Sequence, residues 1–250
     1  DVTAFMSTPT YVLRLAEVAR EEGLDPAETA VETIVCAGEP GASVPGTKRR
    51  MEELWGADVY DHAGATETGA WGFSCTGDSL GMHANEARFL VEVLDGSGEP
   101  VEPGETGELV VTPLDRTAQP YVRFRLHDEV VLGEPDACDC GRTFRFFPDG
   151  VLGRTDELTK VNGVLLAPTA IEDVIRRSAL VGDEYRVVIS DHESKDLDVV
   201  TVVAERAPGV ETDDETIVAE LREALKDTTN LTCRVELRDY GSLERVQLKA

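Results

Sequence analysis

The residues best suited to chemistry lie in the run Tyr60-Asp61-His62-Ala63-Gly64-Ala65-Thr66-Glu67-Thr68-Gly69. The pattern predicts a short strand, Ala57 to Tyr60, entering a loop of small residues. Small residues let a backbone approach a ligand closely. A hydroxyl at Thr66 beside a carboxylate at Glu67 is what a phosphate and its magnesium need at one place. A second candidate set is Cys75, His83, Cys138 and Cys140. A Cys-x-Cys pair with a distant Cys and His suits a tetrahedral structural zinc. The same spacing suits three free thiols and a surface histidine. Cys36 and Cys233 have no partner pattern and read as core. Arg123 and Arg125 alternate along a strand and so share one face.

These side chains need elements to hold them. Apolar residues from Pro9 to Glu22 fall near helical spacing, and Gly23 ends the run. Thr33 to Ala37 is a short buried-looking strand, Val44 to Trp55 a second helix, and Val59-Tyr60 the next strand. Strand, helix and strand in this order imply a parallel doubly wound sheet. From Glu86 the period changes: strands over 89–94, 107–112 and 122–125, separated by Gly- and Pro-containing turns, predict a small antiparallel unit. After Asp156 come a strand pair (158–165), a helix (168–177), two strands (185–190 and 197–204), a helix (213–227) and a last strand (233–237). That is an α+β domain of about a hundred residues, a usual size.

The chain has 250 residues, 49 acidic against 24 basic, and a net charge of -25. Such a charge repels nucleic acid and anionic membrane surfaces, so neither is an expected partner. The carboxylates are spread along the chain, which has five lysines. We read this as a solvation adaptation to high salt, a halophilic trait. No apolar run is long enough for a bilayer and no leader pattern is present, so a cytoplasmic location is expected. An odd count of five cysteines favours thiols or a metal over a disulfide framework. The chain opens without Met and ends without a tail, and we expect it to be a piece of a longer protein.

Five motifs occur in order: Gly38-Glu39-Pro40, Asp61 to Glu67, Pro120 to Asp128, Gly153 to Gly163, and Cys138-Asp139-Cys140-Gly141-Arg142 between the last two. With Gly107-Glu108-Leu109-Val110 they resemble the adenylate-forming acyl-CoA ligases, and most closely the phenylacetate-CoA ligase branch. The resemblance covers nearly the whole chain. It implies the C-terminal part of a large AMP-binding domain (1–152), a hinge (153–157) and a small α+β lid domain (158–250). The implied activity joins ATP to an aromatic or arylacetic acid, giving acyl-AMP and pyrophosphate, and then passes the acyl group to CoA. ATP or AMP, Mg²⁺ and CoA are the implied cofactors, and a structural Zn²⁺ fits the cysteines. Two other readings stay open: an adenylylating synthetase acting without CoA, and a non-catalytic nucleotide-binding fragment. A homodimer is one of several open assemblies.

The resemblance also assigns roles. Glu67 would hold Mg²⁺ and Thr66 would touch a phosphate oxygen. Glu39 and Pro40 would wall in the adenine, near Asp61, Ala63 and Gly64. The family commonly has an aromatic where Ala63 stands. Asp128 would accept from the ribose hydroxyls, with Arg154 beside the nucleotide. Asp156 would be the hinge, and Lys160 and Gly163 would line the CoA channel. Gly241 to Ala250 resembles the loop of the adenylation lysine, with Lys249 in its slot and Leu248 in place of the usual Gly. The family's earlier Ser/Thr/Gly-rich phosphate loop is not in this sequence; it is expected upstream of Asp1, with half of the acyl pocket.

Overall fold

The computed structural model describes residues 1–74, 80–135, 137–155, 159–191 and 197–245. The chain divides into two compact units, Asp1–Glu157 and Leu158–Gln247. In the first, β1 (Ala4–Ser7), α1 (Pro9–Glu21), β2 (Thr33–Ala37), α2 (Pro45–Trp55), β3 (Asp58–Ala65), β4 (Gly69–Ser74) and β5 (Met82–Ala84) follow in order. Next come β6 (Phe89–Leu94), β7 (Thr106–Pro113), β8 (Phe124–Val131), β9 (Phe146–Phe147) and β10 (Gly153–Arg154).

These strands build two sheets, ordered β1-β2-β3-β4-β5-β9 and β10-β8-β7-β6. The first is parallel from β1 to β3 and antiparallel beyond. Helix α1 starts at Thr8, whose hydroxyl accepts the Tyr11 N–H, with Pro9 in its first turn. Its apolar face, Val12, Leu13 and Ala16, packs with Ile34, Met51 and Val59. Burying each of the larger chains here, Val, Leu, Ile or Met, contributes roughly 1.5–3 kcal/mol. Helix α2 ends at Gly56, which takes the left-handed conformation at φ 61°. A second core around Trp71, Phe89, Leu109 and Phe147 joins the two sheets.

The expected loop after Tyr60 is different in the structure. Strand β3 runs on to Ala65 and pairs antiparallel with β4, so only residues 66–68 form the turn. The small side chains serve strand pairing: a Cβ on Gly64 would stand 3.0 Å from the Gly69 carbonyl oxygen.

The second unit holds β11 (Thr159–Val161), β12 (Val164–Leu166), α3 (Pro168–Arg177), β13 (Val181–Asp191), β14 (Asp198–Arg206), α4 (Asp214–Thr229) and β15 (Arg234–Arg238). Strands β13 and β14 are antiparallel, and β15 adds parallel to β14. Helix α4 is capped by Asp213, which accepts the Thr216 N–H at 2.9 Å. Ile171, Ile175, Val202, Ile217 and Leu225 form the core of this unit.

Candidate functional site

Thr66 and Glu67 form the exposed tip of the β3–β4 hairpin, closed by a Thr68 N–H to Ala65 carbonyl bond of 3.2 Å. The turn is held from outside. Arg116, beyond the end of β7, donates through Nη1 to the carbonyls of both Thr66 (3.0 Å) and Glu67. A guanidinium thereby ties down the backbone that carries the two candidate side chains.

Asp61 is buried on β3. Its carboxylate accepts from Ser43 Oγ at 2.5 Å and from the His62 N–H at 2.9 Å. Burial pushes its carboxyl above the usual value, against the pull of those two donors. Ala63 packs against the second core. Glu39 caps α1, its Oε1 accepting the Thr10 N–H at 2.6 Å, with Pro40 next in the same turn.

Asp128 on β8 and Arg154 on β10 are register partners, with Nη1 3.6 Å from Oδ1. Arg154 also donates to the Leu126 carbonyl at 3.2 Å. His127, just before Asp128, has φ 63°, a conformation that favours glycine. Its Nδ1 lies 3.1 Å from Glu108 Oε1. Such strain persists only where neighbours hold it. Arg123 and Arg125 lie over the same sheet and pair with Glu92 and Glu108.

His83, Cys138 and Cys140 converge, their ligand atoms all within 4.8 Å of one another. His83 is fully buried, and its Nε2 lies 3.2 Å from Cys140 Sγ. Its Nδ1 faces the Phe144 carbonyl at 3.3 Å, which favours the tautomer that leaves Nε2 free for a metal. The Arg142 backbone N–H leads in lowering the Cys140 thiol to about 6, burial opposing it and the Arg142 side chain, Cys138 and His83 assisting. Two thiol sulfurs and an imidazole nitrogen at these separations fit zinc on chemistry and geometry. Cys75, the fourth expected ligand, lies outside the described residues, as do Asp156 and Lys249.

Residues 1–114 match the model of the AMP-binding enzyme family, and residues 163–250 match that of the AMP-binding enzyme C-terminal domain. The chain belongs to the adenylate-forming acyl-CoA ligase superfamily. Within the superfamily it is 33% identical to a phenylacetate-coenzyme A ligase of Thermus thermophilus, over 95% of this chain and 56% of the relative. A phenylacetate-coenzyme A ligase of Aromatoleum evansii is 27% identical, over 97% of the chain and 55% of the relative. A solved 2-hydroxyisobutyryl-CoA ligase with a bound acyl-AMP superposes with a TM-score of 0.91 at 32% identity, covering 99% of this chain and 53% of that one. The chain thus spans about half the length of the curated relatives it matches.

For a member of this superfamily, the described residues bring together three groups: the Thr66–Glu67 tip with Arg116, Asp128 with Arg154, and His83 with two cysteines. Lys160 and Gly163 sit in the second unit, on the β11–β12 hairpin, whose turn residues Asn162 and Gly163 have φ 49° and 89°. Asn162 fastens that turn by exchanging two 2.8 Å bonds with the Asp198 backbone. Sequence reasoning missed Arg116, whose bonds to the hairpin tip are to backbone atoms.

Proposed function

We propose that the protein containing this chain activates an aromatic or arylacetic carboxylic acid with ATP and transfers the acyl group to CoA. The observation that carries this is the 33% identity to a phenylacetate-coenzyme A ligase along 95% of the chain. In the first step a substrate carboxylate oxygen attacks the α-phosphorus, and the bond to the bridging oxygen breaks to release pyrophosphate. In the second the CoA thiolate attacks the acyl carbonyl and AMP leaves. Two anions must meet in the first step, so cationic charge is needed where negative charge develops.

Glu67 would bind the Mg²⁺ that neutralises the phosphates, and Thr66 would donate to a phosphate oxygen. Asp128, steadied by Arg154, is suited to accept from two ribose hydroxyls. Glu39, Pro40, Asp61, Ala63 and Gly64 would border the adenine. With Ala in place of an aromatic at 63, the loss of a stack costs on the order of 1 kcal/mol of nucleotide affinity. Lys249 would place its ammonium between the acyl carboxylate and the α-phosphate. Asp156 would be the hinge about which 158–250 turns, and Lys160 and Gly163 would then meet CoA. Cys75, His83, Cys138 and Cys140 would hold a structural zinc that fixes the end of the first sheet. A cytoplasmic location agrees with the finding that no helix among the described residues is long and apolar enough to cross a membrane.

A second reading concerns the acid. The 32% identity to a 2-hydroxyisobutyryl-CoA ligase is nearly as high, which favours a short branched hydroxy acid. Pyrophosphate release by the whole protein with a panel of aromatic, arylacetic and hydroxy acids, with and without CoA, separates these. Release with arylacetic acids and CoA is expected. CoA-independent turnover would move the assignment to a synthetase of another kind, and no release with any acid would refute ligase activity. For the zinc, elemental analysis should find about one ion per chain, lost on His83→Ala with Cys140→Ser. Metal-free native protein would remove that assignment.

A further inference from the structure

Strand β8 does not pair evenly with β7. Glu108 stands opposite Glu129 and Val110 opposite Arg125, so three residues of β8, Leu126, His127 and Asp128, face one of β7. Bulges of this kind re-aim side chains, and the side chain in question is Asp128. The bulge turns on His127, whose φ of 63° is natural to glycine and uncommon for other residues. Neighbours must hold it there.

The two flanking strands do so. On the β10 side, the Thr155 N–H donates to the His127 carbonyl at 2.7 Å and Arg154 Nη1 to the Leu126 carbonyl at 3.2 Å. On the β7 side stands Glu108. Its Oε2 accepts from Arg125 Nη1 at 2.7 Å, and its Oε1 lies 3.1 Å from His127 Nδ1. One carboxylate thus spans the bulge, from the residue where it begins to the residue where it turns. The Glu108 side chain is 14% exposed, so its contacts are screened less than those of a surface pair. The reaction scheme above gives neither Glu108 nor His127 a task.

We propose that Glu108, acting through His127, is a positioning residue for Asp128 and thereby sets the preference for a ribonucleotide over a deoxynucleotide. The proposal rests on the ribose role given to Asp128 above. Asp128 follows His127 directly, so a change at the His127 backbone carries the Asp128 carboxylate with it. Hydrogen bonds weaken steeply when misaligned. A bond to a charged acceptor is worth about tenfold or more in affinity, and a relaxed bulge would forfeit it. The contacts expected of Thr66, Glu67 and Glu39 lie on other elements and do not depend on the bulge.

The test is equilibrium binding of MgATP and of its 2′-deoxy and 3′-deoxy analogues to the whole protein, which needs no acid substrate. The parent should prefer ATP by about tenfold or more, and Asp128→Ala should erase that preference. Glu108→Gln should weaken MgATP binding about tenfold and cut the preference to about threefold or less, while the deoxy analogues move within about threefold. Glycine holds a positive φ unaided. In a His127→Gly background, adding Glu108→Gln should therefore change MgATP binding by no more than about twofold, a non-additivity that general destabilisation would not produce. His127→Val puts a β-branched residue where φ is positive and leaves Glu108 in place. It should reproduce the Glu108→Gln loss, and it carries the comparison should Glu108→Gln fail to fold. If the parent shows no preference, or Asp128→Ala keeps it, the ribose reading falls and the role of Glu108 with it. If Asp128→Ala erases the preference while Glu108→Gln and His127→Val keep it, the role of Glu108 alone falls. A tenfold loss from Glu108→Gln in the glycine background would make Glu108 a general support of the sheet and also overturn the proposal.

Discussion

Arg116 shows how a side chain with no reactive atom can govern two that have them. Its Nη1 bonds to the carbonyls of Thr66 and Glu67 tie down the backbone of both residues at an exposed hairpin tip. Arg116→Met should leave the fold intact, because the residue is exposed. It should raise the MgATP KM about tenfold, equivalent to about 1.4 kcal/mol, in pyrophosphate-release kinetics on the whole protein. An unchanged KM would mean that the turn holds its shape unaided. Thr66, Glu67, Asp128, Arg154, His83 and Cys140 could be singled out from the sequence because the chemistry proposed for them resides in their side chains. Arg116 was not legible, since its target is main chain 49 and 50 residues away and any arginine could make that contact. Glu205 was hidden for a related reason: its burial depends on a loop that folds back from 36 residues downstream.

Most elements could be read from period and punctuation, down to helix α3, whose Pro168–Arg177 bounds agree with the sequence pattern. One departure is instructive. His62 to Ala65 reads as loop by composition, because glycine and alanine disfavour strands, yet pairing with β4 overrides propensity. Close strand approach also governs the sheet that carries Asp128. A Cβ on Gly107 would lie 2.6 Å from the Leu94 carbonyl oxygen and 2.9 Å from Val93 Cγ1. Gly107→Ala must therefore push β6 from β7, at a cost of roughly 1–3 kcal/mol. Urea unfolding should show the midpoint falling without a change of slope; a parent-like midpoint would show that the strands have slack. In the second unit the corresponding constraint is electrostatic. Burial raises the Glu205 carboxyl, but Arg245, Leu243 and Gly241 outweigh it, and it titrates below its ordinary 4.5. A carboxyl lowered in the folded state stabilises above its unfolded value and loses that contribution as pH falls through the folded one. Stability should hold from neutral pH down to about 4.5 and then decline. Glu205→Gln should be less stable at pH 7 and show a shallower acid decline.

For the molecule as a whole the dominant quantity is the net charge of -25 over 250 residues. Among the described residues, Arg88, Arg123, Arg125, Arg145, Arg177 and Arg206 each pair with a neighbouring carboxylate. Exposed pairs of this kind contribute little, about 0–1 kcal/mol each. The remaining carboxylates repel one another, and the compact state holds them closer than the unfolded chain does. The Debye length falls from about 10 Å at 0.1 M salt to about 3 Å at 1 M. Screening should therefore stabilise the fold, with the melting temperature rising about 2–4 °C for each kcal/mol gained. Potassium chloride and potassium sulfate separate two causes. Charge screening depends on ionic strength, so at matched ionic strength its contribution to the rise in melting temperature should be alike in the two salts. Sulfate also strengthens apolar burial by its exclusion from the protein surface. A rise with sulfate and none with chloride would assign the effect to burial, and the acidic surface would then be no adaptation to salt.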